Sequence, residues 1–88
     1  MSRAFTKEDA DLPEPEYRLP PRTDPGFDEA AAWALIEGAN VGDSLGAERA
    51  TGYRFGEPKL RPHVQRILGA AVAEKNDRLE QLARRFLK

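Results

Sequence analysis

The sequence predicts a small all-α protein, a bundle of three to four helices over residues 27–88 that follows a disordered arm over residues 1–26. Three observations lead to this fold class. Five of the seven prolines lie in residues 1–26, and five of the seven glycines lie in residues 27–57, where three of them can end predicted helices. Apolar residues then recur at helical spacing after residue 60. A chain of 88 residues has room for one such domain.

The predicted arm is rich in proline and charge. It carries four basic and six acidic residues, and its large apolar residues are few: Phe5, Leu12, Tyr17 and Leu19. Ordering a residue costs about 1–2 kcal/mol of backbone entropy, which so little apolar surface cannot offset. We therefore expect residues 1–26 to be flexible and partly polyproline-like.

The first two helices are predicted from their ends. Asp24-Pro25 is a helix-start signal ahead of an alanine-rich run, which gives a helix over about residues 27–38. Gly38, Asn40 and Gly42 can end it, because both residue types tolerate left-handed backbone. Asp43 or Ser44 can then cap a short helix over about residues 44–51, which Gly52 closes.

The C-terminal half contains the strongest helical periodicity. Residues 53–58 form a loop with two aromatic anchors, and helices follow over about 62–74 and 77–87. Two arrangements remain open at residues 74–77, Glu-Lys-Asn-Asp. These four polar residues favour a turn and a helical hairpin. A heptad-like seam through Lys75 would instead fit one long helix of a dimeric coiled coil.

The predicted core is small. A domain of about sixty residues buries only about 60 % of its unfolded surface, so a second copy or a partner would help to stabilise it. A homodimer is therefore one possible state. The candidate core residues are Trp33, Leu35, Ile36, Leu45, Tyr53, Phe55, Leu60, Val64, Ile67, Leu68, Val72, Leu79, Leu82, Phe86 and Leu87.

Several classes of function are disfavoured by composition. The chain has no cysteine, and no apolar run approaches the roughly 18 residues of a membrane helix. The first eight residues lack the apolar stretch of a signal peptide. The single histidine, His63, and the scattered carboxylates have ordinary surface or capping roles. We expect a cytoplasmic protein without a catalytic, cofactor-binding or metal site.

The formal net charge of −1 is the sum of three unlike segments. Residues 1–26 carry −2, residues 27–57 carry −4, and residues 58–88 carry +5. A basic C-terminal half can bind an acidic protein or the phosphates of a nucleic acid. We expect a non-catalytic protein-interaction or regulatory module, with nucleic-acid binding as the alternative. The candidate contact residues are Tyr53, Phe55, Arg61, Arg66, Arg78, Arg84 and Arg85.

The N-terminal sequence supplies one family resemblance. Residues 1–9, MSRAFTKED, and the acidic, proline-containing run through Leu19-Pro20-Pro21-Arg22 resemble the N-terminal tail of bacterial Gre-type transcript-cleavage factors. The long hairpin with acidic tip residues and the β-rich domain expected after that tail are not visible in this sequence. The resemblance therefore implies a bacterial peptide that docks on the transcription machinery, and it implies no catalytic carboxylates.

Overall fold

The computed structural model describes residues 17–88, and within them the fold is all-α, as predicted. Four helices follow one another: α1 (Phe27–Asn40), α2 (Ser44–Thr51), α3 (Arg61–Ala73) and α4 (Asp77–Leu87). A short 3-10 helix, Pro58–Leu60, leads into α3, and the described residues contain no strand. The predicted helix bounds differ from these by at most two residues.

The structure decides between a hairpin and one long helix. Helix α3 ends in a Schellman motif, in which the amide of Asn76 donates to the carbonyl of Ala71 (2.9 Å) and that of Lys75 to Val72 (3.1 Å). Lys75 has a φ of 58°, a left-handed conformation that reverses the chain. The Asn76 side chain then accepts from the amide of Leu79 (3.1 Å) and caps α4. The result is the predicted hairpin.

A close crossing joins α1 to α2. Gly42 adopts a φ of 77°, and the amide of Asp43 donates to the carbonyl of Gly38 (2.7 Å), which completes a second Schellman motif. Helix α1 therefore runs through Gly38 to Asn40 before it ends. Gly38 serves packing instead, because a Cβ built on it would lie 2.6 Å from the Cβ of Ala47 in α2.

The core is formed by α1 against the α3–α4 hairpin, with the 3-10 helix below. Its largest fully buried side chains include Leu35, Ile36, Leu60, Val64, Leu82 and Phe86. The predicted burial is wrong for three residues: Trp33 is 42 % exposed, Leu45 is 58 % exposed and Val72 is 48 % exposed. Each lies on the side of its helix that faces away from the buried residues, so its apolar character does not bring it into the core.

The N-terminal boundary of the domain also differs from the prediction of an arm through residue 26. Tyr17 and Leu19 pack against the core, and the guanidinium of Arg22 lies 5.3 Å from the ring centroid of Phe27. These contacts bring residues 17–26 into the domain, because they bury apolar surface that a free arm would leave in water. The rest of the predicted arm, residues 1–16, lies outside the described residues.

Candidate interaction surfaces

The two loop aromatics lie partly buried against the core. The ring of Tyr53 is 6.3 Å from that of Phe27, and its hydroxyl donates to Oδ1 of Asp28 (2.8 Å). This hydrogen bond, together with burial, raises the pKa of Tyr53. The ring of Phe55 meets that of Phe86 edge to face, with centroids 4.8 Å apart. Both aromatics therefore anchor the loop to the bundle, and each shows only part of its ring to solvent.

Two of the predicted arginines are engaged within the domain. Arg61 donates from Nη1 to the carbonyl of Leu87 (2.9 Å), and so satisfies a carbonyl at the end of α4. Arg66 donates from Nη2 to Nδ1 of His63 one turn earlier (2.9 Å). Arg61 is half-buried and Arg66 is exposed. These contacts give Arg61 a structural role in joining α3 to the last turn of α4.

The other predicted arginines lie on the exposed side of α4. Arg78 and Arg85 are seven residues apart and share the side nearest α1, whereas Arg84 and Lys88 share the outer side. Arg78 donates from Nε to Oδ1 of Asn40 (2.9 Å), and Arg84 pairs with Glu80 (2.8 Å). Arg85 forms no hydrogen bond or ion pair within residues 17–88. Apart from Asp77 in its first turn and Glu80, which pairs with Arg84, the charged residues on the exposed side of α4 are therefore basic.

The acidic half of the domain does not neutralise this basic half. Among residues 17–88 the single ion pair, Arg84–Glu80, lies within α4 itself. Asp28 of α1 and Glu48 of α2 instead accept hydrogen bonds from the hydroxyl of Tyr53 and the amide of Phe55. Asp43, predicted as a helix cap, makes no side-chain cap and accepts from the hydroxyl of Tyr17 (2.8 Å). The opposite charges of the two halves thus remain available to groups outside the domain.

The Tyr17–Asp43 contact holds the N-terminal segment against the α1–α2 turn. Burial raises the pKa of Tyr17 most, followed by the hydrogen bond and the negative charge of Asp43, to about 12 from the ordinary 10.0. The same hydroxyl would lie 3.2 Å from a Cβ on Gly38. Tyr17 therefore stays protonated and keeps its donor at neutral pH.

A second surface, which the sequence prediction missed, surrounds Trp33. Its indole separates two hollows, one of about 290 Å³ beside Tyr17 and Arg18, and one of about 220 Å³ between α1 and α4. We call the latter the α1–α4 hollow. Its floor contains Ile36 and Leu82, which are almost fully buried. Its rim contains Trp33, Glu37, Asn40, Asn76 and Arg78.

The sequence did contain a signal for this surface. Successive residues of a helix are about 100° apart, which places Trp33 roughly opposite Phe27, Ala31 and Leu35 on α1. Glu29 and Glu37, four residues before and after Trp33, are exposed with it. A large apolar residue flanked by acids on the polar side of a helix indicates a contact residue rather than a core residue.

Residues 17–88 contain no group of three histidine, aspartate or glutamate side chains placed to hold a metal ion. None of the helices in this range combines the length and the apolarity needed to cross a membrane. Comparisons with protein-family models, curated proteins and solved structures found no match to this chain.

Proposed function

We propose that this chain is a non-catalytic interaction module that binds an acidic protein partner through the exposed side of α4. The observation that carries the proposal is the separation of charge on the domain. Arg84 and Lys88 share the outer side of α4, Arg78 and Arg85 lie on its exposed side nearest α1, and no acidic residue of α1 or α2 pairs with them within residues 17–88. A patch of one charge sign steers an oppositely charged partner and favours its association.

The loop aromatics support the C-terminal end of α4 as the contact site. Phe55 packs on Phe86, and Arg84 and Arg85 directly precede Phe86 in α4. A half-buried aromatic next to arginines is a composition typical of protein interfaces. Of the predicted contact residues, Phe55, Arg84 and Arg85 therefore lie at the same end of α4, on different sides of the helix, whereas Arg78 lies at the other end and Tyr53 packs on α1.

Bacterial RNA polymerase is the first partner to test, because residues 1–22 resemble the tail of Gre-type factors. The experiment titrates the fluorescently labelled full chain with purified polymerase and follows anisotropy. We expect saturable binding that the double variant Arg84→Glu/Lys88→Glu weakens at least tenfold. The control, Arg49→Glu/Lys59→Glu, makes the same change in net charge at exposed positions of α2 and the 3-10 helix, which do not contact α4, and should bind as the parent does. Absence of binding would remove the link to transcription.

Nucleic-acid binding is the alternative that the same basic surface favours. Phosphate contacts release counterions, so their affinity falls steeply with salt. A labelled oligonucleotide, single-stranded or duplex, should then bind at low salt and lose binding in Arg84→Glu/Lys88→Glu. Oligonucleotide binding without polymerase binding would replace the protein-partner proposal with this alternative, and the absence of oligonucleotide binding at low salt would exclude the alternative.

A further inference from the structure

The surface formed by α1 and α4 carries two parallel columns of opposite charge. On α1, the acidic column consists of Glu29, Trp33 and Glu37, spaced four residues apart and all exposed. On α4, the basic column consists of Arg78 and Arg85. Trp33, Glu37 and Arg78 line the same hollow, so the two columns lie side by side on one surface.

The register between the columns follows from one measured contact. Arg78 donates to Asn40, and Ile36 and Leu82 share the floor of the α1–α4 hollow, so α1 and α4 run antiparallel. Trp33 is seven residues before Asn40, and Arg85 is seven residues after Arg78. Both positions are about 10 Å from the Asn40–Arg78 contact along their helices. Trp33 and Arg85 therefore lie level with each other.

Within residues 17–88 most of the hydrogen-bonding and ion-pairing groups of these side chains have no partner. Glu29, Glu37 and Arg85 form no hydrogen bond or ion pair there, and Arg78 uses only Nε. Trp33 is 42 % exposed, and no cation of residues 17–88 packs over its ring. An exposed indole and its flanking acids attract a guanidinium, since a cation is favoured over an aromatic face.

We propose that this surface pairs with a second copy of the chain across a two-fold axis that runs along the α1–α4 hollow. Such an axis brings the acidic column of each copy over the basic column of the other. Trp33 then faces Arg85 of the second copy, and Glu37 approaches Arg78 of the second copy. The arrangement closes as a dimer, because a two-fold interface uses the same surface on both subunits.

The shape of the surface fits the same partner. Each α1–α4 hollow has a volume of about 220 Å³, and an engineered cavity of about 150 Å³ accepts benzene. An indole edge from the opposite copy can therefore enter it and cover the nearly buried Ile36 and Leu82. The outer side of α4, with Arg84 and Lys88, stays outside this contact. The dimer thus goes beyond the proposed partner binding: it leaves Arg84 and Lys88 free for the partner and takes up Arg78 and Arg85.

The test compares two charge-reversed variants, alone and mixed, by sedimentation equilibrium of the full chain. One variant is Glu29→Lys/Glu37→Lys and the other is Arg78→Glu/Arg85→Glu. We expect the parent to dimerise with a Kd on the order of 10 μM at low salt. Each variant alone places like charges opposite each other and should dimerise at least tenfold more weakly. Their mixture restores both sets of opposite charges and should form a one-to-one dimer.

Trp33 supplies a second readout, because it is the only tryptophan of the chain. Its emission should shift to longer wavelength on dilution or on addition of salt, since dissociation returns the indole to water. The variant Arg49→Glu/Lys59→Glu should dimerise like the parent. The single variant Arg85→Glu changes an exposed residue that forms no hydrogen bond or ion pair within residues 17–88, and it keeps the Arg78–Asn40 hydrogen bond. Circular dichroism confirms that each variant is folded.

Each outcome bears on the proposal directly. A parent chain that stays monomeric at low salt and millimolar concentration would overturn it. So would a mixture that remains monomeric while the parent dimerises. Growth of the mixture beyond a dimer would exclude the two-fold axis, because head-to-tail contacts do not close. If Arg84→Glu/Lys88→Glu loses polymerase or oligonucleotide binding but still dimerises, the result bears on the proposed function and leaves the dimer proposal unchanged.

Discussion

Replacing Gly38 by alanine should destabilise the domain, although alanine is the better helix former. Within α1, the change from glycine to alanine favours the helix by about 1 kcal/mol. The new methyl would lie 2.6 Å from the Cβ of Ala47 and 3.0 Å from the carbonyl oxygen of Asp43. Carbon atoms prefer a separation of about 3.5–4.0 Å, so α2 must move outward by about 1 Å.

The displacement determines the sign of the effect. Overpacking of a closely packed contact costs about 1–3 kcal/mol, and the shift would also strain the Tyr17–Asp43 hydrogen bond, because the same methyl lies 3.2 Å from the Tyr17 hydroxyl. Because the strained hydrogen bond places the cost in the upper part of this range, about 2–3 kcal/mol, subtracting about 1 kcal/mol of helix propensity leaves a net loss of about 1–2 kcal/mol in the free energy of unfolding.

Gly69 provides a matched control, since it is also a glycine inside a helix. It lies in α3, is exposed, and has nothing within 4 Å of an added Cβ. Gly69→Ala should therefore stabilise the domain by up to about 1 kcal/mol through propensity alone. Urea denaturation followed by circular dichroism measures both variants. If Gly38→Ala were as stable as the parent, or if both variants changed stability in the same direction, the inferred close crossing of α1 and α2 would be wrong.

Three further changes test other parts of the fold. Lys75→Gly removes a non-glycine residue from left-handed backbone (φ 58°) and should raise the free energy of unfolding by about 0.5–1 kcal/mol; an unchanged melting temperature would contradict the Schellman turn. Tyr17→Phe should lower stability by about 1 kcal/mol at neutral pH. Because the folded pKa of Tyr17, about 12, exceeds its ordinary 10.0, its contribution is complete below pH 10 and is lost as pH rises toward 12. The urea midpoint should therefore decrease more between about pH 8 and about pH 11 in the parent than in Tyr17→Phe, and an equal decrease in both would count against the Asp43 contact. A double-mutant cycle with Phe55→Leu and Phe86→Leu should give a coupling of about 0.5–1.5 kcal/mol, whereas additive effects would show that the rings do not interact.

Local signals predicted most of the helical fold. Gly42 and Gly52 supply the left-handed residues that end α1 and α2, and the asparagine of residues 74–77 caps α4 as the polar turn indicated. Such signals act within one or two helical turns, so they can be read without knowing which helices meet. The boundary of the arm could not be read in this way, because Tyr17 is held by Asp43, which lies 26 residues later.

The candidate site was only partly predictable for a related reason. The charge of α4 is a property of its own sequence, and the exposed arginines were identified from it. Trp33 was assigned to the core because it is large and apolar, although its position on the helical wheel places it opposite the buried residues. The Arg61–Leu87 bond likewise links two ends of the hairpin that no local pattern relates.

The helices, their ends and the separation of charge can be read from the order of the residues, because helix propensity, capping and charge are local properties of the chain. Which apolar residues remain in water and which charges meet is settled only in the folded domain. Those outcomes depend on how helices pack, and one close contact such as Gly38 against Ala47 sets the position of a whole helix. The position of Trp33 at the rim of a hollow that Arg78 of α4 also lines is a result of that packing.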